Sequence, residues 1–117
     1  MQIQLTGMLT MFVLAAQIAA KGPILVAWYE AADCRGSSFE TTITKAQPEP
    51  GTCFAASDGR TARSVLWSNI GGPGFQLFLS GGPHDMCTNG ANFTAPKSAG
   101  CETAPPGFNW QSAQYPF

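Results

Sequence analysis

Apolar and polar positions alternate along this chain with the period of strands rather than of helices. Ile24 to Glu30, "ILVAWYE", is a continuous apolar run ending in two aromatics, too short for a typical helix and rich in strand formers, and it predicts a buried strand. From about Ser38 to Thr44, Phe39, Thr41 and Ile43 alternate with Glu40, Thr42 and Thr44, the period of two expected when one face is buried and the other wet. "QPEPG" at Gln47 to Gly51 stops any ladder, because prolines lack amide donors. "TCFAA" then predicts a short third strand, "SDGR" at Ser57 to Arg60 a turn, and "RSVLWS" from Arg63 to Ser68 a fourth strand. "GGPG", Gly71 to Gly74, precedes a fifth strand, "FQLFLS", in which Phe75, Leu77 and Leu79 share a face. "MCTNGANFT" reads as a hairpin across Asn89-Gly90, and "FNWQS" as a last edge strand. No tandem repeat is visible by eye.

Short strands punctuated by Gly and Pro predict an all-β sandwich or barrel. Its expected core is Leu25, Trp28, Phe39, Ile43, Phe54, Val65, Trp67, Leu77 and Leu79.

The first twenty residues stand apart. Met8 to Ala16 is an apolar stretch, followed by small residues at Ala19 and Ala20 and then the first charge, Lys21. This is the pattern of a signal-peptide helix over residues 1–20, well short of the ~20 unbroken apolar residues that span a bilayer. Residues 21–117 then form a single secreted domain with a tail from about 103 to 117, rich in proline and aromatics. All charges lie in this part, and its net charge is -1, which favours neither nucleic acid nor stable association with an anionic membrane.

Cys34, Cys53, Cys87 and Cys101 are an even set in a short chain with a leader, which predicts two disulfides. Three pairings are open; a sequential one would stabilise by about 3 kcal/mol per bridge. Zinc is disfavoured, since no two cysteines stand at C-x-x-C spacing and the only histidine is His84.

The corner "WYEAADCRGSSFE" carries a spaced pattern: Tyr29 and Glu30, then Cys34, then Gly36, with Phe39 and Thr41 following. It resembles the Greek-key signature of the βγ-crystallin superfamily, in which the first hairpin folds over its sheet, a Gly takes positive φ and an aromatic covers the fold. "DGRTARSVLW" is similar to the family's approach to its fourth strand, where a Ser ties down the hairpin; Ser64 matches. Cys34 departs from the family's usual aromatic, and a disulfide there would anchor the corner. The resemblance covers Ile24 to Trp67 and implies a small disulfide-stabilised Greek-key β-sandwich, while "FQLFLSGGPHD" lacks the spacing of a second key. Many family members bind calcium in the loop before the fourth strand. Here Gly59, Arg60, Arg63 and Ser64 stand in its place, a poor set for a hard cation, and Asp58 reads as a turn residue.

Glu40, Arg60 or Arg63, and His84 supply the residue types of a small secreted ribonuclease, but the motifs that surround them in such enzymes are missing. His84 in "GPHDM" reads as a turn residue beside an Asx-type bond from Asp85. Asn92-Phe93-Thr94 is an N-glycosylation acceptor. No metal or cofactor is expected. The expectation is a secreted, non-enzymatic effector or toxin-like protein of fungal type that binds an extracellular protein or glycan through its surface. A proteinase inhibitor using "SNIGGPG" or "GGPHDM" is the alternative, and the resemblance implies relatives among both killer toxins and inhibitors.

Overall fold

The computed structural model describes residues 23–44, 47–70, 75–82, 84–95 and 98–115. The leader read over residues 1–20 and the turn at Gly71 to Gly74 lie outside them. Among the described residues eight strands follow in order: β1 (Leu25–Tyr29), β2 (Glu40–Ile43), β3 (Cys53–Ala55), β4 (Ser64–Ser68), β5 (Phe75–Leu79), β6 (Phe93–Ala95), β7 (Gly100–Thr103) and β8 (Trp110–Gln114). Helical structure among the described residues is confined to single 3-10 turns at Ala32–Cys34 and Ser57–Gly59. The fold is all-β, with two antiparallel four-stranded sheets ordered β2-β1-β4-β7 and β3-β8-β5-β6.

Each half of the chain gives three strands to one sheet and its third strand to the other: β3 crosses over in the first half, β7 in the second. The two halves are related by an internal two-fold. A constant 48 positions separate Ala62 from Trp110, Ser64 from Ser112 and Cys53 from Cys101, and their registers match. Ala62 and Trp110 sit at the axis, exchanging N–H···O bonds of 2.9 and 2.7 Å, and Asn109 Nδ2 donates to Thr61 Oγ1 beside them. The repeat escapes a reading of the sequence because few equivalent residues are identical.

One core lies between the sheets. Val26, Trp28, Val65 and Trp67 from the first pack with Phe75, Leu77, Trp110 and Ala113 from the second, all buried. The Trp67 and Phe75 rings meet at 5.6 Å between centroids. Of the expected core, Phe39, Phe54 and Leu79 pack at its margin. Ile43 does not belong to it: opposite Leu25 on the outer face, it is 66% exposed. On β2 it is Thr42, opposite the buried Val26, that turns inward, so the alternation has the period of a strand with the faces reversed. Leu25 shares that outer face and is half-buried.

Two further expectations are corrected. The segment Trp110–Gln114 is an inner strand between β3 and β5, not an edge, because Trp110 and Ala113 supply the core. No hairpin closes within "MCTNGANFT"; Phe93–Ala95 pairs back with β5, and Asn89-Gly90 forms a bend, with both φ angles positive, inside the longer connection.

The disulfides are Cys34–Cys101 and Cys53–Cys87, with Cα atoms 6.3 and 6.0 Å apart, not the sequential pairing. Cys101 lies on β7 beside Leu66 of β4, and Cys53 on β3 beside Gln114 of β8. Each bridge therefore joins one half's hairpin to the strand that the other half has sent into the same sheet. Two disulfides are compatible with an extracellular protein, and among the described residues no helix is long and apolar enough to cross a membrane.

Candidate functional site

Of the residues singled out by the sequence, Tyr29, Glu30, Cys34, Gly36 and Glu40 lie on the hairpin of β1 and β2, and His84, Cys87 and Asn92 in the connection from β5 to β6. After β1 the chain turns through Asp33 (φ 61), Cys34 (φ 53) and Gly36 (φ 75), all left-handed. Such a run is costly for residues with a Cβ and persists where neighbours enforce it. Ser64 does so here. Fully buried, it accepts from the Cys34 N–H at 2.9 Å and donates to the Ala31 carbonyl at 2.5 Å. Thr103 adds a second tie, accepting from the Asp33 N–H at 2.8 Å and donating to its carboxylate at 3.2 Å. The cystine at Cys34 completes the clamp. Tyr29, half-buried opposite Ser64, begins the turn.

The second hairpin repeats the device, which the sequence did not reveal. Met86 (φ 57), Cys87 (φ 58) and Asn89 (φ 58) take the left-handed places of Asp33, Cys34 and Gly36. Buried Ser112 accepts from the Cys87 N–H at 3.0 Å, as Ser64 does from Cys34. Gln111 Oε1 accepts from the Met86 N–H at 2.7 Å. Phe78, opposite Ser112 and buried, stands where Tyr29 stands in the first half. The loop is tied within itself as well: His84 Nδ1 lies 3.0 Å from the Gly90 carbonyl, Asp85 Oδ1 accepts from the Gly81 N–H, and Thr88 Oγ1 donates to the Asp85 carbonyl. Met86 projects from it, 57% exposed.

The charged candidates have separate duties. Glu30 pairs with Arg60 at 2.5 Å, and the Arg60 guanidinium lies 3.8 Å above the Phe39 ring. Both carboxylate oxygens of Glu40 accept from the Ser57 N–H. Arg63 donates to the carbonyls of Ala104, Pro105 and Phe108, fixing the loop that carries Phe108, itself 52% exposed. Glu40, Arg63 and His84 are thus each engaged with different backbone groups. In the loop before β4, the guanidinium groups of Arg60 and Arg63 and the Ser64 hydroxyl are all committed to protein partners. Asp58 (φ 59) serves the turn. Among the described residues no three His, Cys, Asp or Glu side chains converge as a metal site.

Asn92 is exposed just ahead of β6, its Oδ1 accepting from the Leu79 N–H at 2.9 Å. As for the inhibitor loops, Gly71 to Gly74 of "SNIGGPG" and Pro83 of "GGPHDM" lie outside the described residues. Met86, the last residue of "GGPHDM", is left-handed (φ 57). What the two hairpins offer is a pair of exposed loops held in fixed conformations. No family model, no curated protein and no solved structure matches the chain.

Proposed function

We propose that this chain is a secreted, non-enzymatic effector or toxin-like protein, built as two Greek keys similar to those of the βγ-crystallin superfamily, that binds an extracellular target through its clamped loops. The observation that carries this reading is the pair of equivalent clamps: a buried Ser under each hairpin and a cystine from each hairpin to the opposite half. The exchange of β3 and β7 between sheets supports the paired-key reading. Loops fixed in advance lose little entropy on binding, which favours recognition by a surface. Five non-glycine residues of the two hairpins, Asp33, Cys34, Met86, Cys87 and Asn89, are left-handed, a conformation that such ties help to hold.

The test is a dose series of the oxidised protein on leaf tissue and on microbial cultures, beside its reduced form and Met86→Ser. Death or growth arrest that is lost on reduction and weakened by Met86→Ser is the expected result. No response from either target overturns direct action on cells.

A further inference from the structure

Each sheet ends in two edge strands, and β6 of one lies beside β7 of the other, the two lining a common hollow; the equivalent seam of the other half is that of β2 and β3. The seam of β2 and β3 is stoppered. Nine residues, 44–52, connect β2 to β3, and Gln47 among them reaches the Tyr115 hydroxyl and donates from Nε2 to the Asn69 carbonyl at 2.9 Å. The seam of β6 and β7 is bridged by only four residues, 96–99, and there the hollow, of about 280 Å³, opens to the surface.

The sequence differences between the two seams shape this hollow. Trp67 replaces Tyr115 at its floor, and Gly100 replaces Thr52. A Cβ on Gly100 would stand 2.9 Å from Trp67 Cζ2, so only glycine lets β7 lie against the indole. Glu102 occupies the place that Phe54 fills on the stoppered side, and Phe93 the place of Glu40. Phe93 and Ala95 form the opposite wall with Ala99 at the mouth. The walls are braced: Trp67 packs on Phe75, Phe93 on Trp110, and Trp110 Nε1 donates to the Glu102 carbonyl at 3.1 Å. Among the described residues that line the hollow, Glu102 has the one ionisable side chain, and among the described residues no hydrogen bond or ion pair engages its carboxylate.

We propose that this hollow binds a small organic cation with an apolar or aromatic body, its ammonium group against the Glu102 carboxylate and its body between Trp67 and Phe93. The volume is near the lower end for small-molecule sites and suits a single ring with a short arm. Aromatic walls attract a cation and an apolar body alike, and the Glu102 carboxylate gives the charge its partner. A neutral sugar would find one side-chain acceptor where it needs several. The site does not depend on the loop-binding reading above.

The test is a titration of the oxidised protein with benzylamine, benzyl alcohol and benzoate, followed by backbone amide NMR shifts and Trp fluorescence. Benzylamine is expected to move the Gly100 and Glu102 amides and the Trp67 indole signal, to bind about tenfold more tightly than benzyl alcohol, and benzoate to bind least. Glu102→Gln should erase the advantage of the amine, and Ala99→Phe, a substitution at an exposed position, should block the mouth to both. Benzylamine shifts that are absent or fall elsewhere, or an amine advantage that survives in a folded Glu102→Gln, overturn the proposal. If that variant does not fold, the comparison of amine with alcohol on the unaltered protein decides the same point.

Discussion

Replacing Ser64 by Ala removes one oxygen from the centre of the first clamp and leaves every other contact of the hairpin in place. That oxygen makes two bonds, from the Cys34 N–H at 2.9 Å and to the Ala31 carbonyl at 2.5 Å, in a side chain with no solvent exposure. Each bond contributes about 1 kcal/mol net, and stranding the Cys34 amide under a hairpin held down by its cystine adds to the loss, so we expect a cost of about 2–3 kcal/mol. For a domain of this size that lowers Tm by roughly 10–20 °C. Ser112→Ala is the internal control. Among the described residues its hydroxyl makes one side-chain bond, from the Cys87 N–H at 3.0 Å, and its removal should cost about 1–1.5 kcal/mol. Urea denaturation of both variants with cystines intact measures the difference, and amide exchange at Cys34 localises it. A Ser64→Ala cost below about 0.5 kcal/mol, or a larger cost for Ser112→Ala, would refute the reasoning that the buried hydroxyl holds the left-handed turn.

Other expectations follow from the same geometry. Converting Cys34 and Cys101 together to Ala opens a loop with a sequence separation of 67 and should cost about 4 kcal/mol in chemical denaturation, somewhat more than removing Cys53–Cys87 with its separation of 34. Gly100→Ala drives a methyl into the Trp67 ring and should destabilise by about 1–3 kcal/mol, with a shift in Trp fluorescence. Arg60→Gln breaks an ion pair whose side chains are 46% and 74% exposed and should cost less than about 1 kcal/mol, because water screens the pair.

The first half was legible because its hairpin is short. Tyr29, Cys34 and Gly36 stand at a recognisable spacing, and the required positive φ falls on a glycine. The second half hides the same turn: the run from Phe78 to Cys87 is four residues longer than that from Tyr29 to Cys34, and Asn89 takes the place of Gly36. Asn tolerates the left-handed region, so no glycine marks the spot. The β2 alternation gave the period but not the face, since Ile43 looks like a core residue until the register sets Thr42 opposite Val26. The cystine pairing depended on which strand lay beneath each hairpin, a contact between distant segments with no local trace. The hollow could not be read either, because it arises from the difference between two connections that become comparable only once the two-fold is known.

Both cystines run between the halves and neither within one. A protease that cuts the connection between β4 and β5 therefore releases nothing: two covalent links still hold the pieces, and each piece keeps a strand in the other's sheet. Non-reducing gels of such a nicked sample would show a single band. In a medium rich in proteases, the molecule survives a break at the junction of its halves, and its integrity there depends on redox potential more than on an unbroken backbone.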